Sequence, residues 1–243
     1  MIFDLHNDII TCVGARRFRR YVKKAQKQSV EGILCSVWTT KMGEPFAQIR
    51  RARKIIDETK TDVKLLLHVE DAWFLDLNNV EEFLELKPYS VGLTWNYDNT
   101  LAGGAKGTGH LTPLGEKIIE KLIAGGVQID LAHLNRESFF QVAACVGGAL
   151  LCTHTCFDEV TPHPRNLTRE QVELIVKSGG VVGLTFEKSF CNGDVMKHFL
   201  WFKNNFGINN LGIGTDFFGA TVPKELKNYK RVRQFFRGLL YDV

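Results

Sequence analysis

Eight short apolar runs recur along the chain, each followed by an amphipathic stretch, and this alternation is the strongest constraint on the fold. The runs are IFDLHND (2–8), GILCSVWTT (32–40), VKLLLHVED (63–71), SVGLTWN (90–96), VQIDLAHL (127–134), ALLCTHT (149–155), GVVGLTF (180–186) and LGIGTDF (211–217). Strands that alternate with helices in this way predict a parallel α/β sheet closed as a (β/α)8 TIM-type barrel. A doubly wound open sheet is the rival, because counting strands does not show closure. Helix punctuation agrees with the alternation. Thr112-Pro113 supplies an N-cap and an N1 proline, and Gly125-Gly126 ends the same segment. Thr168 with Gln171 has capping-box spacing, and Gly179-Gly180 follows. No linker-like or low-complexity stretch interrupts the series, so one barrel domain over residues 1–243, with a short C-terminal helical region, is expected.

A barrel of this kind places its reactive side chains at the C-terminal ends of the strands. GVQIDLAHL (126–134) reads as a buried strand until His133 appears at its tip. The pattern repeats. His6 and Asp8 close the first strand two residues apart, and so on one face. Glu70 closes the third, His154 the sixth and Asp216 the eighth. A lone histidine at a strand end is usually hydrogen-bonded in a loop. Six metal-capable groups at one mouth instead suggest a metal centre, since imidazole nitrogens and carboxylate oxygens are the donors divalent ions such as zinc use. Five ligands and a spare carboxylate suit two ions sharing a bridge. His68, one layer below Glu70, reads as a core histidine, and His198 as structural in an amphipathic helix whose HFLWFKNNF aromatics pack on the barrel.

Composition narrows the function classes. The 44% hydrophobic and 24% charged content is that of an ordinary globular protein, and a net charge of +4 is mild. Basic runs at 15–24 and 227–237 lack any nucleic-acid motif and read as solvated helix faces. No apolar run reaches the ~18 residues that span a bilayer. The opening MIFDLHNDI has no secretory pattern, and the six cysteines lack disulfide or zinc-knuckle spacing. A cytoplasmic protein without nucleic-acid or membrane partners is the expectation, with homodimerisation left open. The glycine-rich LAGGAKGTGH (101–110) lacks the G-K-[ST] of a phosphate loop and reads as a mobile loop over the mouth, with His110 a lesser candidate for substrate contact. His163 reads as a residue that shapes the loop carrying Arg165.

Taken together, the motifs resemble the membrane (renal) dipeptidase family of the amidohydrolase superfamily. DLHND resembles its opening HxD motif, and GVQIDLAHL its first metal-histidine strand, preceded by a similar helix, LTPLGEKIIEKLIAGG. CTHT resembles its second histidine strand, HPRNLT its substrate-arginine loop, and GIGTDFFG its last-strand aspartate motif. The resemblance implies two zinc ions, one on His6 and Asp8, the other on His133 and His154, bridged by Glu70. It implies that Arg165 pairs with a substrate carboxylate and that Asp216 shuttles a proton. The implied reaction is hydrolysis of a dipeptide by a metal-bridged hydroxide.

Three departures stand out. The strand-4 LTH motif of mammalian members reads LTW here, placing Trp95 where a substrate-contacting histidine would be; DFFG replaces DFDG; and the chain is short after the last motif. Two alternatives follow: hydrolysis of another small amide or lactam on the same metal site, or a metal-retaining barrel that binds without catalysing.

Overall fold

In a computed structural model, described for residues 2–39 and 43–237, eight parallel strands close into a barrel in sequence order. They are β1 (Ile2–Asn7), β2 (Val30–Trp38), β3 (Lys64–Glu70), β4 (Ser90–Gly92), β5 (Gln128–Asp130), β6 (Leu151–Thr155), β7 (Val181–Leu184) and β8 (Leu211–Ile213). The helices are α1 (Ile9–Cys12), α2 (Ala15–Gln26), α3 (Pro45–Asp57), α4 (Val80–Glu85), α5 (Pro113–Ala124), α6 (Arg136–Val146), α7 (Arg169–Lys177), α8 (Lys188–Cys191), α9 (Val195–Phe206) and α10 (Tyr229–Phe235). The open-sheet alternative is excluded by the β1–β8 pairing, Asp4 opposite Ile213. Thr40, the expected last residue of the second strand, lies outside the described residues.

The helix signals act where the sequence puts them. Thr112 accepts from the Gly115 N–H at the start of α5, with Pro113 at the first position. Thr168 and Gln171 form a reciprocal capping box on α7. The buried face of α9, with His198, Phe199 and Phe202, packs against Phe157 and the barrel wall.

Register varies around the ring. β2 and β3 pair over seven positions, whereas β8–β1 and β5–β6 are each joined by a single register pair. Both of these thin seams carry the same side-chain clasp. At β8–β1, Asp4 accepts from the Thr215 N–H at 2.9 Å and the Thr215 hydroxyl at 2.7 Å. At β5–β6, Asp130 accepts from the Thr153 N–H at 2.8 Å and the Thr153 hydroxyl at 2.6 Å. Each carboxylate is fully buried and hydrogen-bonded, as a carboxylate in an apolar interior must be. In each case the residue after the threonine, Asp216 or His154, faces the barrel mouth. The clasps therefore hold the strand ends that the site uses.

Candidate metal centre

Around the mouth, His6, Asp8, Glu70, His133, His154 and Asp216 come together from five different strand ends. β1 ends at Asn7 and β3 at Glu70, while His154 lies within β6. His133 and Asp216 fall three residues beyond β5 and β8, which are shorter than the apolar pattern predicts. Both have a left-handed backbone, φ 67° for His133 and 55° for Asp216. This turn ends the ladder at each strand and leaves both side chains lining the mouth cavity.

The geometry divides Glu70 between two groups. Its Oε1 lies 2.9 Å from His133 Nε2 and 3.6 Å from His154 Nε2, and those two nitrogens are 2.9 Å apart. Its Oε2 faces His6 Nε2 at 4.0 Å, and His6 Nε2 is 3.4 Å from Asp8 Oδ2. Asp216 stands with His6 and Asp8 in a second metal-capable cluster, all ligand atoms within 4.8 Å of one another. Gly219 makes this packing feasible, because a Cβ there would lie 2.4 Å from an Asp216 oxygen and 2.5 Å from an Asp8 oxygen.

Partner chemistry fixes the histidine tautomers. Asn96 Oδ1, 3.1 Å from His133 Nδ1, can only accept, so that nitrogen carries the proton. The Arg165 guanidinium donates to His154 Nε2 at 3.0 Å, so that nitrogen carries a lone pair. Two imidazole lone pairs and a carboxylate oxygen thus converge. Donors tetrahedrally arranged about 2.0–2.2 Å from a zinc ion stand roughly 3.3 Å from one another, close to the 2.9–3.6 Å separations here. The donor set fits a divalent cation. A guanidinium and a metal cannot share the His154 lone pair, so loading that position displaces the Arg165 contact.

The electrostatics agree. Burial, with the Arg165 charge, lowers His133 to about 4 and holds it neutral. Burial, with neighbouring His6 and His133, sends His154 well below the ordinary histidine range. Burial also opposes charge on His6, but Asp8, Glu70 and Asp216 outweigh it and raise that ring to about 10. For Glu70 burial is outweighed by His133 and His6, which keep it ionised down to about 2. Burial, with Asp8 and Glu70 nearby, raises Asp216 well above the carboxylate range. His133 and His154 are thus neutral, each with one ring proton, whereas His6 favours the charged form and would release its Nε2 proton on binding an ion.

A cavity of about 570 Å3 opens above these groups. Arg165, 4% exposed, forms one wall, and among the described residues no carboxylate pairs with it. Its guanidinium lies over the Phe190 ring, 5.3 Å from the centroid. Trp95 stacks at 6.1 Å from His133 and lies 5.3 Å from Trp38, so both tryptophans face the metal-capable groups. His163 accepts from the Arg165 backbone N–H and packs at a tilt against Phe190, and His110 is exposed and does not line the cavity. His68 is wholly buried, its Nδ1 bonded to Ser90.

The glycine-rich segment, expected as a mobile loop over the mouth, lies beside the cavity and is held by hydrogen bonds. Asp98 accepts from the N–H groups of Gly104, Thr108 and Gly109, and the Ala105 N–H donates to His133 O. The segment is pinned beside the centre and places Lys106 on the cavity wall. Lys106, Asn96, Thr153, Gly219, Trp38 and Phe190 are among the residues that sequence reasoning passed over. Thr153 lies inside the CTHT motif, Gly219 ends GIGTDFFG, Asn96 follows Trp95 and Lys106 sits in LAGGAKGTGH, but none of them carried a role in those patterns.

Comparison with known proteins bears on the fold and the family. A protein of Klebsiella pneumoniae, described as an uncharacterized protein in the pqqA 5' region, is 31% identical over 183 residues, 67% of this chain and 68% of its own. An uncharacterized dipeptidase of Schizosaccharomyces pombe is 24% identical over 234 residues, 81% of this chain but 56% of its own length. A metallopeptidase from Rhodobacter sphaeroides, solved with a phosphinate mimic of the dipeptide L-Ala-D-Ala, shares the fold with a TM-score of 0.80 at 20% identity, over 100% of this chain and 93% of its own. The family described as membrane dipeptidase, peptidase family M19, matches residues 15–243, and the chain belongs to it.

Proposed function

We propose that this protein is a metal-dependent dipeptidase with two divalent ions, zinc by the character of the donors, held by His6 and Asp8, by His133 and His154, and by Glu70 between them. Bound there, the ions would supply a water nucleophile active near neutral pH and Lewis-acid polarisation of the scissile carbonyl. The observation that carries the substrate reading is Arg165. Buried beside the centre, with no carboxylate paired to it among the described residues, this guanidinium costs free energy unless an anion completes it. The free carboxylate of a dipeptide fits the planar fork bidentately. Asp216, a carboxyl that burial and Asp8 favour in its protonated form, is placed to hold and return a proton at the leaving amine. Trp38, Trp95 and Phe190 wall the cavity and limit water around the reacting bond. Trp95 replaces a group that could carry charge, so it contributes an apolar surface and one N–H donor to the bound substrate. A cytoplasmic setting belongs to the same reading, since the six cysteines are all free.

The test is a panel of dipeptides and their C-terminal amides, with both configurations at the second residue, because a protein of the same fold binds an L-Ala-D-Ala mimic. The expected outcome is metal-dependent hydrolysis of free dipeptides. Arg165→Ala should lower kcat/KM for them by roughly 10- to 150-fold, the worth of a charge-assisted pair of about 1.5–3 kcal/mol, while amides change little. Equal losses on both substrate types would remove Arg165 from carboxylate recognition. Turnover confined to another small amide or lactam would replace the dipeptidase reading, and stoichiometric metal with no turnover would favour a binding barrel.

A further inference from the structure

We propose that Thr153 is a positioning residue shared by both halves of the metal centre: its one hydroxyl, fixed by Asp130, holds His6 and His154 by Nδ1 so that their Nε2 atoms turn towards the metal-capable carboxylates. This rests on the two-ion reading above and adds a device that makes the two ion positions interdependent.

Thr153 Oγ1 is 2.6 Å from Asp130 Oδ2, a buried carboxylate oxygen that can only accept, so the hydroxyl proton points there. The same oxygen lies 2.9 Å from His154 Nδ1 and 3.3 Å from His6 Nδ1. With its proton committed, it can offer only lone pairs to the two rings, so each ring must present an Nδ1–H. Arg165 gives independent support on one side: by donating to His154 Nε2 it requires that the ring proton be on Nδ1. On the other side, His6 Nε2 faces the carboxylates of Asp8 and Glu70. The two rings lie 3.8 Å apart between centroids, so one hydroxyl reaches both.

Asp130 is itself held by the Thr153 and Ala132 N–H groups at 2.8 and 3.1 Å, and cannot turn away without breaking the β5–β6 clasp. The relay Asp130–Thr153–(His6, His154) thus runs from a strand seam to ligands assigned to two different ions. A carboxylate acting on a ligand histidine is a known way to fix tautomer and ring orientation, and its loss typically costs 10- to 100-fold in metal affinity. Here a threonine is interposed, which lets one carboxylate serve two rings.

The experiment compares the parent, Thr153→Val and Thr153→Ser for zinc binding in competition with a chromophoric chelator, and records two-bond 15N–1H spectra of the imidazoles in the metal-free proteins. Thr153→Val keeps the shape and removes the hydroxyl. It should weaken zinc binding about 10- to 100-fold at both positions and lose the Nδ1–H preference of His154, while Thr153→Ser restores both. Unchanged affinity, a loss confined to one ion, or a serine variant as weak as the valine would each overturn the proposal. If Thr153→Val does not fold, the parent spectrum decides: His154 protonated on Nε2 contradicts the relay. A parent that binds no zinc would defeat the two-ion reading, and its ring spectrum would still report separately on Thr153.

Discussion

Asp216 and His133 owe their positions to backbone conformations that most residues avoid. A left-handed non-glycine residue costs of order 1–3 kcal/mol and persists only where its surroundings over-determine it. For Asp216 those surroundings are its own N–H donating to His6 O at 2.9 Å and the Ala220 N–H donating back to Asp216 O at 2.8 Å. The carboxyl is thereby fixed between Asp8 and the cavity. Asp216→Asn keeps the size and removes the titrating oxygen, so kcat should fall about 10²–10⁴-fold while metal content, measured on the purified protein, stays near the parent. Loss of one metal equivalent would instead make Asp216 a ligand, an arrangement its cluster with His6 and Asp8 makes sterically feasible. The six metal-capable residues were legible in the sequence because a polar group at the end of an apolar run is conspicuous and a spacing of two keeps His6 and Asp8 on one face. Asn96 and Gly219 were not. Their roles depend on loop paths that strand periodicity does not encode. Asp4 and Asp130 were visible as carboxylates inside apolar runs, but their use as clasps depends on the register of β1 with β8 and of β5 with β6.

Elements hold the site through a few side chains that reach across loops. His198 on α9 is one. The Phe157 N–H donates to its Nδ1 at 3.1 Å, which leaves the Nε2–H to donate to Thr161 Oγ1 at 3.2 Å. This neutral ring anchors the β6–α7 loop, the segment that carries Arg165. Burial lowers His198 to about 4, partly offset by Asp194, against an ordinary 6.5. The sign follows from proton binding. Between pH 6.5 and about 4 the unfolded chain takes up a proton at this position that the native protein does not, so stability is full above that window and falls as pH drops through it. His198→Asn offers an oxygen in place of Nδ1 and cannot titrate. It should flatten the pH dependence of unfolding across that window by up to one proton, about 1.4 kcal/mol per pH unit, as measured by denaturant unfolding. An unchanged slope would mean that His198 does not titrate with folding. At this scale the sequence was informative about identity and order, as the capping box of α7 shows, and less so about length. β4, β5 and β8 each span three residues because the chain leaves the ladder as soon as it turns towards the mouth.

Across the whole molecule the two thin seams and the metal centre form one system. β8 closes on β1 through a single register pair, supported by the Asp4–Thr215 clasp and by Tyr229 of α10, whose hydroxyl donates to Asp4 at 2.6 Å. β5 joins β6 in the same economical way. The proposed ligand groups span these seams. His6 lies within β1 and Asp8 just after it, Asp216 lies beyond β8, His133 beyond β5 and His154 within β6, with Glu70 of β3 facing both groups. Ions held there would clip together strands from opposite ends of the chain. Binding to the native state alone stabilises it by about 2.7 kcal/mol per site at a free ion concentration 100 times Kd. In a chain of this size each kcal/mol moves Tm by about 2–4 °C. Chelation should therefore lower Tm by about 5–10 °C per ion removed, and re-addition of zinc should restore it in a concentration-dependent way. Calorimetry on the stripped and reloaded protein is the measurement. If metal analysis shows the ions gone and Tm is unmoved, the centre does not clip the barrel, and the seams rest on their Asp–Thr clasps alone.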